Sequence, residues 1–329
     1  MKKTVLLSAA AALFAAAAAV TPAAASDCAG FLPPNDLSIP ADSPMAKGIS
    51  EAQFNEVMTT VEKIYKPIVA ARGGVLVLKR LWTDATVNAS AQQSGKNYIL
   101  NMYGGLARHE TITQDGMALV ACHELGHHLG GAPKTGGWNP WASNEGQSDY
   151  FANLKCLRLV FADKGSKGFT TLSEGDEVAM QGCEAMYSSN EDRAVCYRAA
   201  MAGKSVAYLF QALRNETVTP RFDTPSQTVV TTMMSAHPPT QCRMDTYLAG
   251  SLCTQPVSSV LSESDPAVGT CTRKAGFQAG FRPLCWYKPA TAGELLPPGG
   301  KVMDFDAEDL TPGPAFSTLR AGFLTPLAR

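Results

Sequence analysis

The chain has 329 residues, 45% of them hydrophobic, with 28 basic and 29 acidic side chains and a formal net charge of −1. That balance leaves no basic footprint for nucleic acid or an anionic membrane surface. The length suits one large buried core with an appendage.

Lys2 and Lys3 precede an uncharged, Ala/Leu-rich run over 5–20, and Ala23, Ala24, Ala25 and Ser26 follow it. This is the three-part layout of a secretory signal peptide cut near Ala25 or Ser26. The run is shorter than the ~20 residues a spanning helix needs. Asp27 stands directly before Cys28, where lipid attachment would need a small residue. Residues 1–25 are therefore read as a signal peptide, and the mature chain as periplasmic or secreted, without stable membrane insertion. Cleavage leaves 26 basic against 29 acidic residues and all nine cysteines. Such cysteine usage fits an oxidising compartment, and the odd number leaves at least one thiol without an intrachain partner.

Residues 26–49 form a Pro-rich lead segment. Phe54, Val57, Met58, Val61, Ile64 and Tyr65 recur at helical spacing over 50–71, and Gly73-Gly74 stops that helix. Apolar runs predict strands at 75–82, 86–91 and 98–103. A helix follows over 115–129, ended by Gly130-Gly131 and Pro133. A Gly/Pro/Trp loop then runs to 142, a second helix covers 144–161, and helices dominate to about 213. The main domain is placed at 50–255, followed by a cysteine-containing extension at 256–289. A Pro/Gly-rich tail without periodicity occupies 290–329. No internal repeat is visible.

Three of the five histidines fall within CHELGHH, residues 122–128. His123 and His127 stand four apart, so both rings project from one side of the helix and can meet one metal, with Glu124 beside them as a base. The spacing alone occurs in unrelated proteins, so the third ligand decides. An HExxHxxGxxH site fails because Pro133 holds the position of its last histidine. Glu145, 18 residues after His127, can complete the set, and Asp149, one turn further, can accept a bond from a ligand histidine. The bland reading of Glu145 is an acidic residue favoured in a first helical turn. Cys122 shares an apolar face with Ala118, Leu125 and Leu129 and is expected to be a buried free thiol. The other eight cysteines are expected to form bridges. If 241–252 is helical, Cys242 and Cys253 lie roughly 16 Å apart and cannot pair.

Asn144-Glu145-x-x-Ser148-Asp149 is similar to the NExxSD of thermolysin-like enzymes and to the ExxAD of the HtpX/BepA and prenyl-protein peptidase family. Asn88-Ala89-Ser90-Ala91 with Tyr98-Ile99-Leu100 resembles that family's strand pair before the HExxH helix, and His237-Pro238-x-x-x-x-Arg243 resembles its HPxxxxR motif. The likeness covers roughly 50–252. Ser148 in place of alanine, the missing membrane helices and the extra cysteines depart from it. The resemblance implies an α+β, zincin-like metallopeptidase fold, a small mixed sheet with helices and a cleft between an edge strand and the active-site helix. It implies one zinc ion per chain held by His123, His127 and Glu145, with Glu124 as general base. His237 would donate to the developing oxyanion, and Arg243 would orient substrate or a neighbouring carboxylate. The expected function is an exported zinc metalloendopeptidase acting on polypeptides, with the strand around 98–102 as the edge that holds substrate. The rival is a catalytically silent or latent zinc-binding adaptor or chaperone of the envelope, which would have no need of Glu124.

Overall fold

The computed structural model describes residues 26–27, 30–137, 139–162 and 173–290. The expected signal peptide, Cys28 and nearly all of the expected tail lie outside them. The chain runs β1 (Ser26–Asp27), α1 (Glu51–Ala71), β2 (Val75–Leu81), β3 (Ala89–Ser94), β4 (Asn97–Tyr103) and α2 (Gly104–Ala107). Next come α3 (Gln114–Leu129), β5 (Lys134–Gly136), β6 (Asn139–Ser143) and α4 (Glu145–Phe151). A π turn over Ala152–Cys156 joins α4 to α5 (Leu157–Phe161), and α6 (Asp176–Met186), α7 (Asn190–Leu213) and α8 (Thr240–Leu252) complete the order. The architecture is mixed α+β, a small sheet with several helices.

Local chemistry explains the boundaries. Ser50 caps α1 through a reciprocal pair with Gln53, which satisfies two backbone donors at the helix start. Its apolar face, from Phe54 to Val69, enters the main core. Thr113 caps α3 by accepting from the Gly116 amide. Gly95 takes a positive φ in the two-residue turn between β3 and β4, as a tight hairpin requires. Sheet order is β1-β3-β4-β2, with β2 parallel and β3 antiparallel to β4.

Two expectations about strands change. The strand read at 98–103 is an interior strand, because the parallel pairing of β2 covers its second edge. The side of β3 away from β4 is met only by the lead segment, through β1 and the Phe31 amide, and β3 itself lies three residues later than the predicted run. The stretch read as a loop over 130–142 instead carries the β5–β6 ribbon, which turns through Gly136 and Gly137 at positive φ.

Helix α3 is the centre of the molecule. It is buried on every side from Gly116 to Leu129, packing against α1, α4, α7 and the sheet. Gly126 lets α4 approach closely, since a Cβ there would lie 2.8 Å from the Ser148 Cα. Trp286 is fully buried, lies over Gly146 and donates to Thr246, which seals the segment after residue 255 against α4 and α8.

Four disulfides fasten these elements: Cys122–Cys156, Cys183–Cys196, Cys242–Cys285 and Cys253–Cys271. They fit an oxidising compartment. Cys122 is buried as expected but is not a free thiol. The π turn after α4 brings the Cα of Cys156 to 5.5 Å, within bridging reach. Cys242 and Cys253, at opposite ends of α8, pair elsewhere. Among the described residues no helix is long and apolar enough to cross a membrane.

Replacing Cys122 and Cys156 together by alanine should lower unfolding stability by roughly 2–4 kcal/mol, from the loop-closure entropy restored to the unfolded chain. Denaturant unfolding under non-reducing conditions measures it. An unchanged midpoint would mean that the bridge adds nothing to stability.

Candidate metal centre

Helix α3 carries His123, Glu124 and His127, and α4 lies across it with Glu145 and Asp149. Asn144 caps α4 by accepting from the Gln147 amide, which sets Glu145 in the first turn. The Nε2 of His123 lies 3.3 Å from one Glu145 oxygen, and the Nε2 of His127 lies 3.7 Å from the other. One ligand atom from each of the three residues falls within 4.8 Å of the others. A tetrahedral ion with bonds of about 2.0–2.1 Å sets its ligand atoms roughly 3.3–3.4 Å apart, so the cluster has the right size.

The hydrogen bonds fix the ring states. His123 uses Nδ1 toward Asp149 Oδ1 at 2.8 Å, and His127 uses Nδ1 toward the Ser143 carbonyl at 2.8 Å, with Ser148 Oγ 3.1 Å away. Each ring is thus anchored on its far nitrogen, leaving Nε2 for a ligand. Both Nε2 atoms, one Glu145 oxygen and both Glu124 oxygens are buried without a hydrogen-bond partner. Five such orphaned atoms in one place is costly unless something binds them. The donors fit a metal ion: two imidazole nitrogens and a carboxylate. Their geometry does not identify which metal.

Charge is arranged around this cluster. Burial works against the charge on His123, yet the Asp149 carboxylate and Glu145 prevail and raise its pKa to about 9. Burial holds His127 near 4, so that ring is neutral. Burial also lifts Glu124 to about 8. Glu145 goes the other way. Burial opposes its ionisation, but the imidazoles packed against it, His123 foremost, bring it down to about 2.

His237 and Arg243 both reach the centre. His237 lies at the start of the approach to α8, with Nε2 donating to the Gly30 carbonyl at 2.8 Å and 3.5 Å from Glu145. Since Nε2 carries that proton, it is a donor here and not a ligand. Arg243 is fully buried; its Nη2 donates to Asp149 Oδ1 at 2.7 Å, and its Nη1 lies 3.7 Å from Glu145. Burial disfavours its charge, but Asp149, Tyr247 and Glu145 hold it firmly protonated. The other two histidines stand apart. His128 is stacked between Tyr98 and Trp141, and His109 bonds to Thr111.

Sequence reasoning missed three participants: the Ser143 carbonyl, Tyr247 and Phe31. Tyr247 could have been found, since it sits one turn after Arg243 and its hydroxyl takes the guanidinium at 3.2 Å. Phe31, in the lead segment, meets the His123 ring edge-on at 4.8 Å. Nothing in its local sequence points there.

Metal uptake should be coupled to pH. His123 holds a proton at neutral pH in the metal-free chain, and a metal must displace it. Uptake at pH 7 should release at least one proton, so affinity should weaken by at least about tenfold per pH unit on going from pH 8 to 6. Calorimetry in two buffers of different ionisation enthalpy reads the proton count. Uptake without proton release would place the ion elsewhere.

Compared with protein-family models, curated proteins and solved structures, the chain matches none.

Proposed function

We propose that the chain is an exported zinc-dependent metalloendopeptidase with a zincin-like fold, resembling the HtpX/BepA family. One observation carries the reading: His123, His127 and Glu145 converge with partnerless buried atoms while an equally partnerless Glu124 carboxylate adjoins them. A structural metal site has no use for a further, uncommitted carboxylate. Catalysis does.

His123, His127 and Glu145 would hold the ion, which when bound would polarise a scissile carbonyl and acidify a water molecule. Glu124 takes the proton from the attacking water and passes it to the leaving amine. Its burial supports this role, because a carboxylate with a pKa near neutrality can both accept and return a proton. A dication beside it favours the ionised form from which the cycle starts. His237 offers an Nε2–H to charge developing on the carbonyl oxygen. Asp149 fixes the His123 ring, and Arg243 fixes Asp149. Export to the periplasm or medium is supported by the four disulfides and by the N-terminal sequence.

Purified protein should carry about one zinc per chain and hydrolyse unfolded casein, and a chelator should remove both properties together. Hydrolysis that survives complete removal of metal would rule the reading out.

A further inference from the structure

We propose that the chain's own lead segment occupies the substrate groove of this centre and competes there with other polypeptides, slowing their cleavage until it is displaced. The proposal rests on the peptidase reading and goes on to how that site is regulated.

The lead segment lies on the edge of β3 as an extended ligand would. Ser26 and Asp27 pair antiparallel with Gln93 and Gln92. Further along the same edge, the Phe31 amide donates to the Ala89 carbonyl at 2.8 Å. Leu32 then pairs with the Asn88 side chain, its amide donating to Oδ1 at 2.9 Å and its carbonyl accepting from Nδ2 at 3.4 Å. Main-chain bonding along a free edge, with side chains seated in pockets, is how an extended peptide adds to a sheet.

The segment also fills the centre itself. The Gly30 carbonyl accepts from His237, the donor assigned above to the reacting carbonyl, and His237 is 3.5 Å from Glu145. Phe31 is 0% exposed, with its ring against His123 and Phe210 and the Arg243 guanidinium 4.9 Å from its centroid. A foreign polypeptide cannot use the β3 edge or reach His237 while these residues remain. Their tether is short: Pro34, Asn35 and Asp36 are exposed, and Ile39 is bonded to Ala85. A ligand on so short a tether competes at an effective concentration in the millimolar range.

The test severs that tether. A protease recognition sequence in place of residues 34–36 allows the folded, metal-loaded chain to be cut after the lead segment. A fluorescent peptide copying residues 26–32, with Cys28→Ser, then reports whether the groove is free, and casein reports activity. The apparent Kd for the peptide should fall at least about tenfold on cutting, because a tethered competitor becomes a dilute one. Casein hydrolysis should rise in step, with zinc content unchanged. Equal peptide uptake before and after the cut overturns the proposal. Uptake that follows the prediction while casein stays intact in both forms leaves the occupancy standing and overturns the peptidase reading instead. If the cut chain loses its near-ultraviolet signal, Phe31→Leu in the uncut protein supplies the comparison. It keeps apolar burial but gives up the ring contact with His123. That variant should take up more peptide than the parent chain, and unchanged uptake counts against occupancy.

Discussion

Glu145→Ala should strip the chain of zinc and of all hydrolysis. Two histidines remain, and two ligands cannot complete a site built for three side chains and an open position. Glu145 also carries the charge that makes the pocket attractive to a cation, since its carboxylate stays ionised to about pH 2. Asp149→Asn should behave differently, with zinc affinity reduced about 10–100-fold and the ion still bound at high concentration. Asparagine is the better probe than alanine, because it keeps an acceptor for Arg243. Stripping Asp149 to alanine would leave that buried guanidinium short of a partner, at a cost of about 3–5 kcal/mol, and mix folding with binding. A zinc titration by competition with a chromophoric chelator separates the two variants. Near-native affinity in both would move the third ligand away from α4 and take the proposed chemistry with it.

Glu124→Gln should leave zinc in place and lower casein hydrolysis by about 10²–10⁴-fold, the usual contribution of a positioned acid–base group. The carboxylate is fully buried and its oxygens have no hydrogen-bond partner, so an amide of the same size displaces no existing bond. It simply cannot take the proton. Metal content and hydrolysis measured on the same preparation make the test, and undiminished hydrolysis would remove Glu124 from the mechanism.

The candidate ligand group was readable because helical periodicity is local. His123 and His127 four apart, and Glu145 and Asp149 four apart, follow from 3.6 residues per turn, and the structure brings both pairs together. What periodicity cannot report is what lies opposite. Cys122 reads correctly as buried, but its partner is decided by the π turn that delivers Cys156 across 34 residues. Arg243 opens a helix, where an arginine is ordinarily solvated. Its burial depends on an acid 94 positions earlier in the chain. The strand at 97–103 reads well as a strand, but its interior place depends on a parallel partner, and parallel register has no turn to announce it. The lead segment reads as polar and Pro-rich, and its average composition hides the one aromatic residue that enters the centre.

The Cys122–Cys156 bridge has a bearing on when the centre comes into being. Cys122 is the residue before His123, and Cys156 lies on the continuation of the helix that bears Glu145 and Asp149. The covalent link therefore joins the two stretches that furnish every proposed ligand. While the sulfurs are still thiols, in the reducing interior where a chain is synthesised, only packing holds those stretches in register. Closing the bridge in an oxidising compartment would then also hold those stretches at the spacing the proposed site needs.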